Sequence, residues 1–174
     1  MAEHRLLLPR SMKPSELSKE LREGNSPLLQ NRRAIVALSF VGIAAAKIVS
    51  LYQVGIIKKL PDPPISIFDS SKVNASDYAY KRFATPDALL MLISYSMTAW
   101  LASAGRQNRE KRNPLWTFAM TGKILFDVLT AVELAREEWD ENKKLCAYCQ
   151  SATIASIASL LLAIPEAKAA IRRK

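Results

Sequence analysis

The chain has 174 residues, 49% of them hydrophobic, and a formal net charge of +9 at pH 7, and this length fits one domain. The positive charge lies near both termini and in one short loop, and no nucleic-acid-binding motif is present, so no nucleic-acid partner is expected. His4 is the only histidine and there are two cysteines, which argues against histidine-based catalysis and against a metal site, because structural zinc would need ligands from a second chain.

Residues 1–25 are polar and mixed in charge. Leu17 and Leu21 lie four residues apart, which is compatible with a short helix over residues 14–23 or with a disordered tail. No cleavable signal peptide is expected, because no small-residue cleavage site follows the first apolar run.

Ser26-Pro27 predicts the start of the first long helix, with Ser as the N-cap residue and Pro at the first helical position. The apolar residues that follow predict a membrane span over about residues 30–57. Lys47 falls near the middle of this span, where a lysine costs about 3 kcal/mol on insertion scales. We therefore expect its side chain to face the interior of a helix bundle or to extend to the membrane surface.

A long connection, residues 58–85, follows the first span. Its prolines prevent the helix from continuing, and its aromatic residues indicate that it packs at an interface; these aromatic residues are Phe68, Tyr78, Tyr80 and Phe83. Thr85-Pro86-Asp87 combines a capping residue, a first-turn proline and a first-turn acid. It predicts the start of a second span over residues 86–104, which Gly105 ends.

Asn113-Pro114 predicts the start of a third span over residues 114–136. Lys123 and Asp127 lie on one face of this helix, where they either neutralise each other or serve a proton path. A charged connection at residues 136–144 follows.

The fourth span is predicted over residues 143–164. Asn142 is expected to cap it, which would place Cys146 and Cys149 in its first two turns. Pro165 is expected to end the helix.

These spans predict an all-α integral membrane protein folded as a four-helix bundle. A polar segment (residues 1–25) would precede the membrane domain (residues 26–165), and a basic tail (residues 166–174) would follow it. Lys and Arg are concentrated in the short loop at residues 105–113 and in the tail, so both termini are expected to be cytoplasmic. The cysteines would then lie on the outer, periplasmic side of a bacterial inner membrane, where disulfide chemistry takes place.

Cys146 and Cys149 form a Cys-x-x-Cys motif at a helix start, where free N–H groups and the helix dipole stabilise a thiolate. Cys146, which is nearer the N-terminus of the helix, is expected to face a protein in solution. Cys149 lies one turn deeper and is expected to face a lipid-soluble oxidant. The alternative is a pair of inert, buried cysteines.

Four spans, a long outer loop and Cys-x-x-Cys at the start of the fourth span resemble the vitamin K epoxide reductase family, most closely over residues 78–104 and 145–163. The resemblance implies a bundle around a quinone of the ubiquinone or menaquinone type. It implies that Cys146 exchanges with a thioredoxin-like thiol donor, that Cys149 faces the quinone, and that Thr153 lies near the quinone carbonyl. Typical members carry a second cysteine pair in the first outer loop, and residues 58–85 contain none.

The predicted function is that of a membrane thiol oxidoreductase, which passes electrons from a protein dithiol through Cys146 and Cys149 to a quinone. The alternative is a non-catalytic membrane scaffold or accessory subunit that retains the bundle. A small transporter would account only for the buried charges, and the chain lacks the internal repeat common in transporters.

Overall fold

A computed structural model describes residues 13–172, and within that range the chain is all-helical, as predicted. The helices are α1 (Pro14–Glu23), α2 (Pro27–Gln53), α3 (Ser70–Ala75), α4 (Asp87–Ser103), α5 (Arg109–Arg112), α6 (Pro114–Asn142) and α7 (Ala147–Ile171), with a 3-10 turn at Asp77–Tyr80. Residues 1–12, which include His4, and residues 173–174 of the basic tail lie outside the described part of the chain.

Three predicted helix starts are confirmed. Residues 14–23 form the short helix α1. Ser26 Oγ accepts a hydrogen bond from Leu29 N at 3.2 Å, and Pro27 opens α2. Pro114 opens α6 directly after Asn113. Proline marks these starts because its missing N–H costs nothing in the first helical turn.

The prediction that Thr85 caps the second long helix is wrong. Pro86 is the N-cap and α4 begins at Asp87, whereas the Thr85 hydroxyl donates to Phe83 O at 3.1 Å. Phe83 and Ala84 have φ of 56° and 50°, so a left-handed turn, rather than a side-chain cap, leads into the helix.

The third long helix extends beyond its predicted end. The expected connection at residues 136–144 is helical as far as Asn142. Arg82, from the loop between α2 and α4, binds Glu137 at 2.5 Å. Arg82 therefore neutralises part of the charge of this segment, and that charge was the basis for predicting a loop here.

Pro165 does not end the last helix, which continues to Ile171. Helices in membranes tolerate proline when neighbouring groups hold the chain beyond it. Here Glu166 accepts hydrogen bonds from Arg109 Nε at 2.6 Å and from Thr117 Oγ1 at 2.8 Å. These contacts fix the last turns of α7 against α5 and α6.

The four long helices pack around two apolar clusters. α2 packs on α4 and α7, and α6 packs on α7 and α4. One helix contact requires a glycine, because a Cβ at Gly42 of α2 would overlap the ring of Tyr95 of α4. Large apolar side chains cover the outer faces, among them Phe40, Ile93, Phe126, Ile154 and Leu161.

Three helices, α2, α6 and α7, are long and apolar enough to cross a membrane. α4 contains 17 residues and is shorter than these three. Lys47 is exposed on the outer face of α2, so the expectation that it faces the interior is wrong, and extension to the membrane surface remains.

The two ends of the molecule differ in chemistry. At the end that we call the basic end, the guanidinium of Arg32 donates to Ala102 O at 2.8 Å and Ala104 O at 2.7 Å, and Arg109 pairs with Glu166. These side chains are almost fully buried. The opposite end, the cysteine end, carries Cys146 and the loop of residues 54–86, which we call the capping loop.

Candidate functional site

The two cysteines lie at the start of α7, and their i, i+3 spacing brings the sulfurs together as predicted. Cys146 is the N-cap, and its sulfur accepts a hydrogen bond from Cys149 N at 3.2 Å. The Cys149 thiol donates to the Cys146 sulfur across 2.8 Å. Both cysteines are free, and a small side-chain movement would bring the sulfurs to disulfide distance.

The prediction that Asn142 caps the last helix is wrong. Asn142 is the final residue of α6, and its carbonyl accepts a hydrogen bond from Lys72 Nζ at 3.1 Å. Cys146 takes the capping position, so its sulfur binds a backbone N–H that has no partner within the helix. This position places Cys146 closer to the positive end of the helix dipole than predicted.

The relative exposure of the two cysteines differs from the expected one, because Cys146 is buried and Cys149 is partly exposed. Cys146 is 0% exposed, although it was expected to face a protein in solution. The cause is the capping loop: Leu145 N donates to Ile67 O at 2.9 Å and Asp69 N donates to Leu145 O at 3.1 Å. These backbone hydrogen bonds attach the loop to Leu145, directly before Cys146. The loop therefore blocks the direct path of a soluble partner to the Cys146 sulfur.

Ser70 holds the capping loop against the start of α7. Its hydroxyl oxygen accepts a hydrogen bond from Ala147 N at 2.9 Å and donates to the Asp62 carboxylate. Tyr148 adds a further link, since its hydroxyl donates to Pro61 O at 2.8 Å. Sequence reasoning missed this role of Ser70, which the pattern of a turn-rich loop does not reveal.

The surroundings of Cys146 favour its thiolate. The hydrogen bond from the Cys149 thiol is the largest influence that lowers the pKa of Cys146 to about 7, against burial, which raises it. The Cys149 backbone N–H and the side chains of Asn74 and Ser70 lower this pKa further. These contacts favour the thiolate, which is the reactive form of a cysteine, against the opposing effect of burial.

Cys149 lines a cavity of about 390 Å³ that lies beside the sulfur pair and is bounded by α4, α6, α7 and the capping loop. Most of its walls are apolar, including Val49, Leu90, Met91, Phe126 and Leu134. A volume of a few hundred Å³ with apolar walls and a few polar groups is typical of a small-molecule site. The cavity therefore has the size and the lining of a small-molecule site next to Cys149.

Thr153 also lines the cavity, one turn after Cys149. Its hydroxyl donates to Cys149 O at 2.9 Å, so in this structure its proton is directed to the helix backbone. Deeper in the cavity, the Tyr95 hydroxyl lies 2.5 Å from Ala152 O and 2.7 Å from Ser156 Oγ. Tyr95 and Ser156 are further polar groups that sequence reasoning did not single out.

Glu138 is a residue of the site that sequence reasoning missed. It is 2% exposed and lines the cavity, and its carboxylate lies with both sulfurs in a group whose atoms are within 4.8 Å of one another. Asp127, Ala131, Leu134 and Glu138 line the cavity from one face of α6. Helical spacing would have revealed this stripe had the helix not been expected to stop near residue 136.

The same three groups lie close enough together to hold a metal ion. The expectation that a zinc site would need a second chain rested on two ligands, and Glu138 supplies a third. Two thiolates and a carboxylate are suitable zinc ligands. The structure therefore offers metal coordination as a rival use of this cluster.

Lys123 and Asp127 share one face of α6, as their spacing predicts, and the structure shows that they form an ion pair. Lys123 Nζ lies 2.5 Å from Asp127 Oδ2 and 2.6 Å from Thr98 Oγ1. Ser94 Oγ donates to Asp127 Oδ1 at 2.9 Å. This network joins α6 to α4 and borders the cavity at Ser94 and Asp127, and mutual neutralisation accounts for its burial.

Comparison with known proteins gives one match. The model of the vitamin K epoxide reductase family matches residues 33–164. No curated protein matches the chain, and no solved structure matches it. The matched region begins at the second turn of α2, runs through most of α7 and includes the cysteines, the capping loop and the cavity.

Proposed function

The chain belongs to the vitamin K epoxide reductase family, and from this premise we propose that it is a membrane thiol oxidoreductase that passes electrons from a protein dithiol to a quinone. The observation that carries the proposal is the position of Cys149. It touches the Cys146 sulfur at 2.8 Å and also lines the apolar cavity. A sulfur pair beside an apolar cavity supports the proposal of a quinone as the electron acceptor.

In the proposed reaction, Cys146 and Cys149 alternate between a disulfide and a dithiol. The donor dithiol reduces the disulfide through a mixed disulfide with Cys146, and the donor leaves as a disulfide. The reduced pair then gives two electrons to the quinone, which takes up two protons and leaves as a quinol while the Cys146–Cys149 bond forms again. Cys149 is the sulfur that faces the quinone, of the ubiquinone or menaquinone type, and Thr153 lies beside it.

The thiol donor is proposed to be a separate, thioredoxin-like protein. Residues 58–85 contain no cysteine, so the chain has no loop pair to relay electrons. Because Cys146 is fully buried under the capping loop, the donor reaches it only when the loop moves away from Leu145. The backbone hydrogen bonds between the capping loop and Leu145 would then break in each catalytic cycle.

The membrane arrangement is proposed to include α4 as a fourth span within a domain of residues 26–165, flanked by polar segment 1–25 and basic tail 166–174. A 17-residue helix is about 25 Å long, which is slightly less than the hydrocarbon core. The charge count supports cytoplasmic termini and a cysteine end on the periplasmic side of the inner membrane.

This orientation is tested with a maleimide that cannot cross membranes, applied to intact cells. A variant without the two native cysteines would carry Ile65→Cys, at an exposed position of the capping loop, or Lys111→Cys, at an exposed position of α5. Position 65 is expected to react in intact cells and position 111 only after lysis. The opposite pattern would place the cysteine end in the cytoplasm and reject the proposed compartment.

The proposed activity is tested by reconstituting the purified protein in lipid with a quinone and a dithiol donor and following quinone absorbance. Wild type is expected to reduce the quinone, and Cys149→Ala to lose this activity because no disulfide can form. Ser151→Ala, at an exposed position two residues further along α7, serves as the control. Unchanged quinone reduction by Cys149→Ala would reject the mechanism.

A scaffold without catalysis is the second candidate, and the complete burial of Cys146 favours it. Trapping of thiols in intact cells separates the two functions. A redox enzyme would yield a Cys146–Cys149 disulfide or a mixed disulfide with a donor. A scaffold would keep both thiols reduced under every growth condition and would retain its binding partner in Cys149→Ala.

A further inference from the structure

Glu138 is buried beside the reacting sulfurs without a compensating cation. Its carboxylate lies within 4.8 Å of both sulfurs, and Gln150 Nε2 donates to its Oε2 at 3.0 Å. Over residues 13–172, Glu138 takes part in no salt bridge, whereas its neighbour Glu137 binds Arg82. A buried carboxyl group without a cation is more cheaply held as the neutral acid, so Glu138 is suited to store a proton.

Quinone reduction requires a second proton that the cysteines do not always hold. The Cys146 sulfur accepts hydrogen bonds from the Cys149 thiol and from the Cys149 backbone N–H, and both contacts favour its thiolate. The reduced pair then carries one proton, on Cys149, while a quinone needs two to become a quinol. Glu138 borders the same cavity as Cys149 and is within reach of a ligand there directly or through one water.

We propose that Glu138 carries the second proton of the reaction, an inference that rests on the proposed function. The Cys146 thiolate, the Cys149 thiol and the Glu138 acid together supply two electrons and two protons. The products are the disulfide, the Glu138 carboxylate and the quinol, so atoms and charge balance. When a donor dithiol reduces the disulfide again, one of its two protons returns to Cys149 and the other to Glu138.

Other polar side chains around the cavity bind partners other than the two sulfurs. The Tyr78 hydroxyl donates to Leu134 O at 2.9 Å. Arg82 pairs with Glu137 and with Asp87 at 3.3 Å. Asp127 is bound by Lys123 at 2.5 Å. Glu138 is therefore the acid near the sulfurs that is free of a cation within the described residues.

The test is a single-turnover reaction of the full-length protein, reduced with dithiothreitol, freed of reductant and mixed with a soluble short-chain ubiquinone. Glu138→Gln keeps the shape and the contact with Gln150 but holds no transferable proton. We expect it to form quinol more slowly by a factor on the order of 100 at neutral pH. Glu133→Gln, at an exposed position on the same helix, should react at the wild-type rate.

Two further measurements separate proton transfer from a structural role. Glu138→Asp should recover much of the rate, and the lost rate of Glu138→Ala should return in proportion to added formate, a small acid that enters the cavity. The proposal would be overturned if formate does not restore the rate of Glu138→Ala and if Glu138→Asp remains as slow as Glu138→Gln.

Two other outcomes are also decisive. Quinol formation by Glu138→Gln at the wild-type rate would refute the role of Glu138 alone. A wild-type protein that leaves the quinone oxidised would refute the proposed function and this role with it. Zinc that copurifies with reduced wild type, is absent from Glu138→Gln and changes the rate when chelated would instead identify Glu138 as a metal ligand.

Discussion

Replacing Cys149 by alanine should raise the pKa of Cys146 sharply. The hydrogen bond from the Cys149 thiol is the largest influence that lowers this pKa from an ordinary 9.0 to about 7. Without the thiol, burial continues to oppose the charged sulfur, so we expect a pKa near or above the ordinary value. A rise of the pKa from about 7 to the ordinary 9.0 would lower the thiolate-to-thiol ratio about 100-fold at a given pH, which corresponds to about 3 kcal/mol.

The measurement is a pH titration of thiolate ultraviolet absorbance in the purified, reduced protein. In Cys149→Ala the only thiol is Cys146, so a single transition reports its pKa. Cys149→Ser, which keeps a hydroxyl donor at the same place, should titrate between the alanine variant and wild type. If Cys149→Ala still titrates near 7, the backbone N–H and the helix end, rather than the neighbouring thiol, stabilise the thiolate, and the reasoning fails.

Two further predictions concern the two ends of the molecule. Arg109→Ala should destabilise the protein by about 3–5 kcal/mol, because it leaves the buried Glu166 carboxylate unpaired. Thermal unfolding in detergent measures the loss, and an equal melting temperature for Arg109→Ala and the exposed Lys111→Ala would contradict it. Ser70→Ala should loosen the capping loop by about 1–3 kcal/mol. Alkylation of Cys146 should then accelerate at least several-fold, and an unchanged alkylation rate would show that Ser70 does not hold the loop closed.

The sequence was sufficient for the helices and for the cysteine pair because both depend on local spacing. Ser26-Pro27 and Asn113-Pro114 mark helix starts through the chemistry of one turn. Cys146 and Cys149 come together because residues three apart share a helix face. The same rule placed Lys123 and Asp127 on one helix face, and the structure adds that they form an ion pair.

Local spacing failed where a distant partner changes the outcome. The charged stretch before Asn142 remains helical while Arg82 from the capping loop binds Glu137. α7 continues past Pro165 with Glu166 held by Arg109. In each case a contact between residues far apart in sequence outweighs a local helix-ending signal.

The sequence by itself determined that this chain is a helical membrane protein with a dithiol at the start of its last long helix. The tertiary structure decided which sulfur is accessible. The capping loop lies across Leu145 and covers Cys146, while α4, α6 and α7 leave a cavity beside Cys149. Burial and cavities depend on how separate elements pack, so the burial of Cys146 and the cavity beside Cys149 emerge only when the helices are assembled.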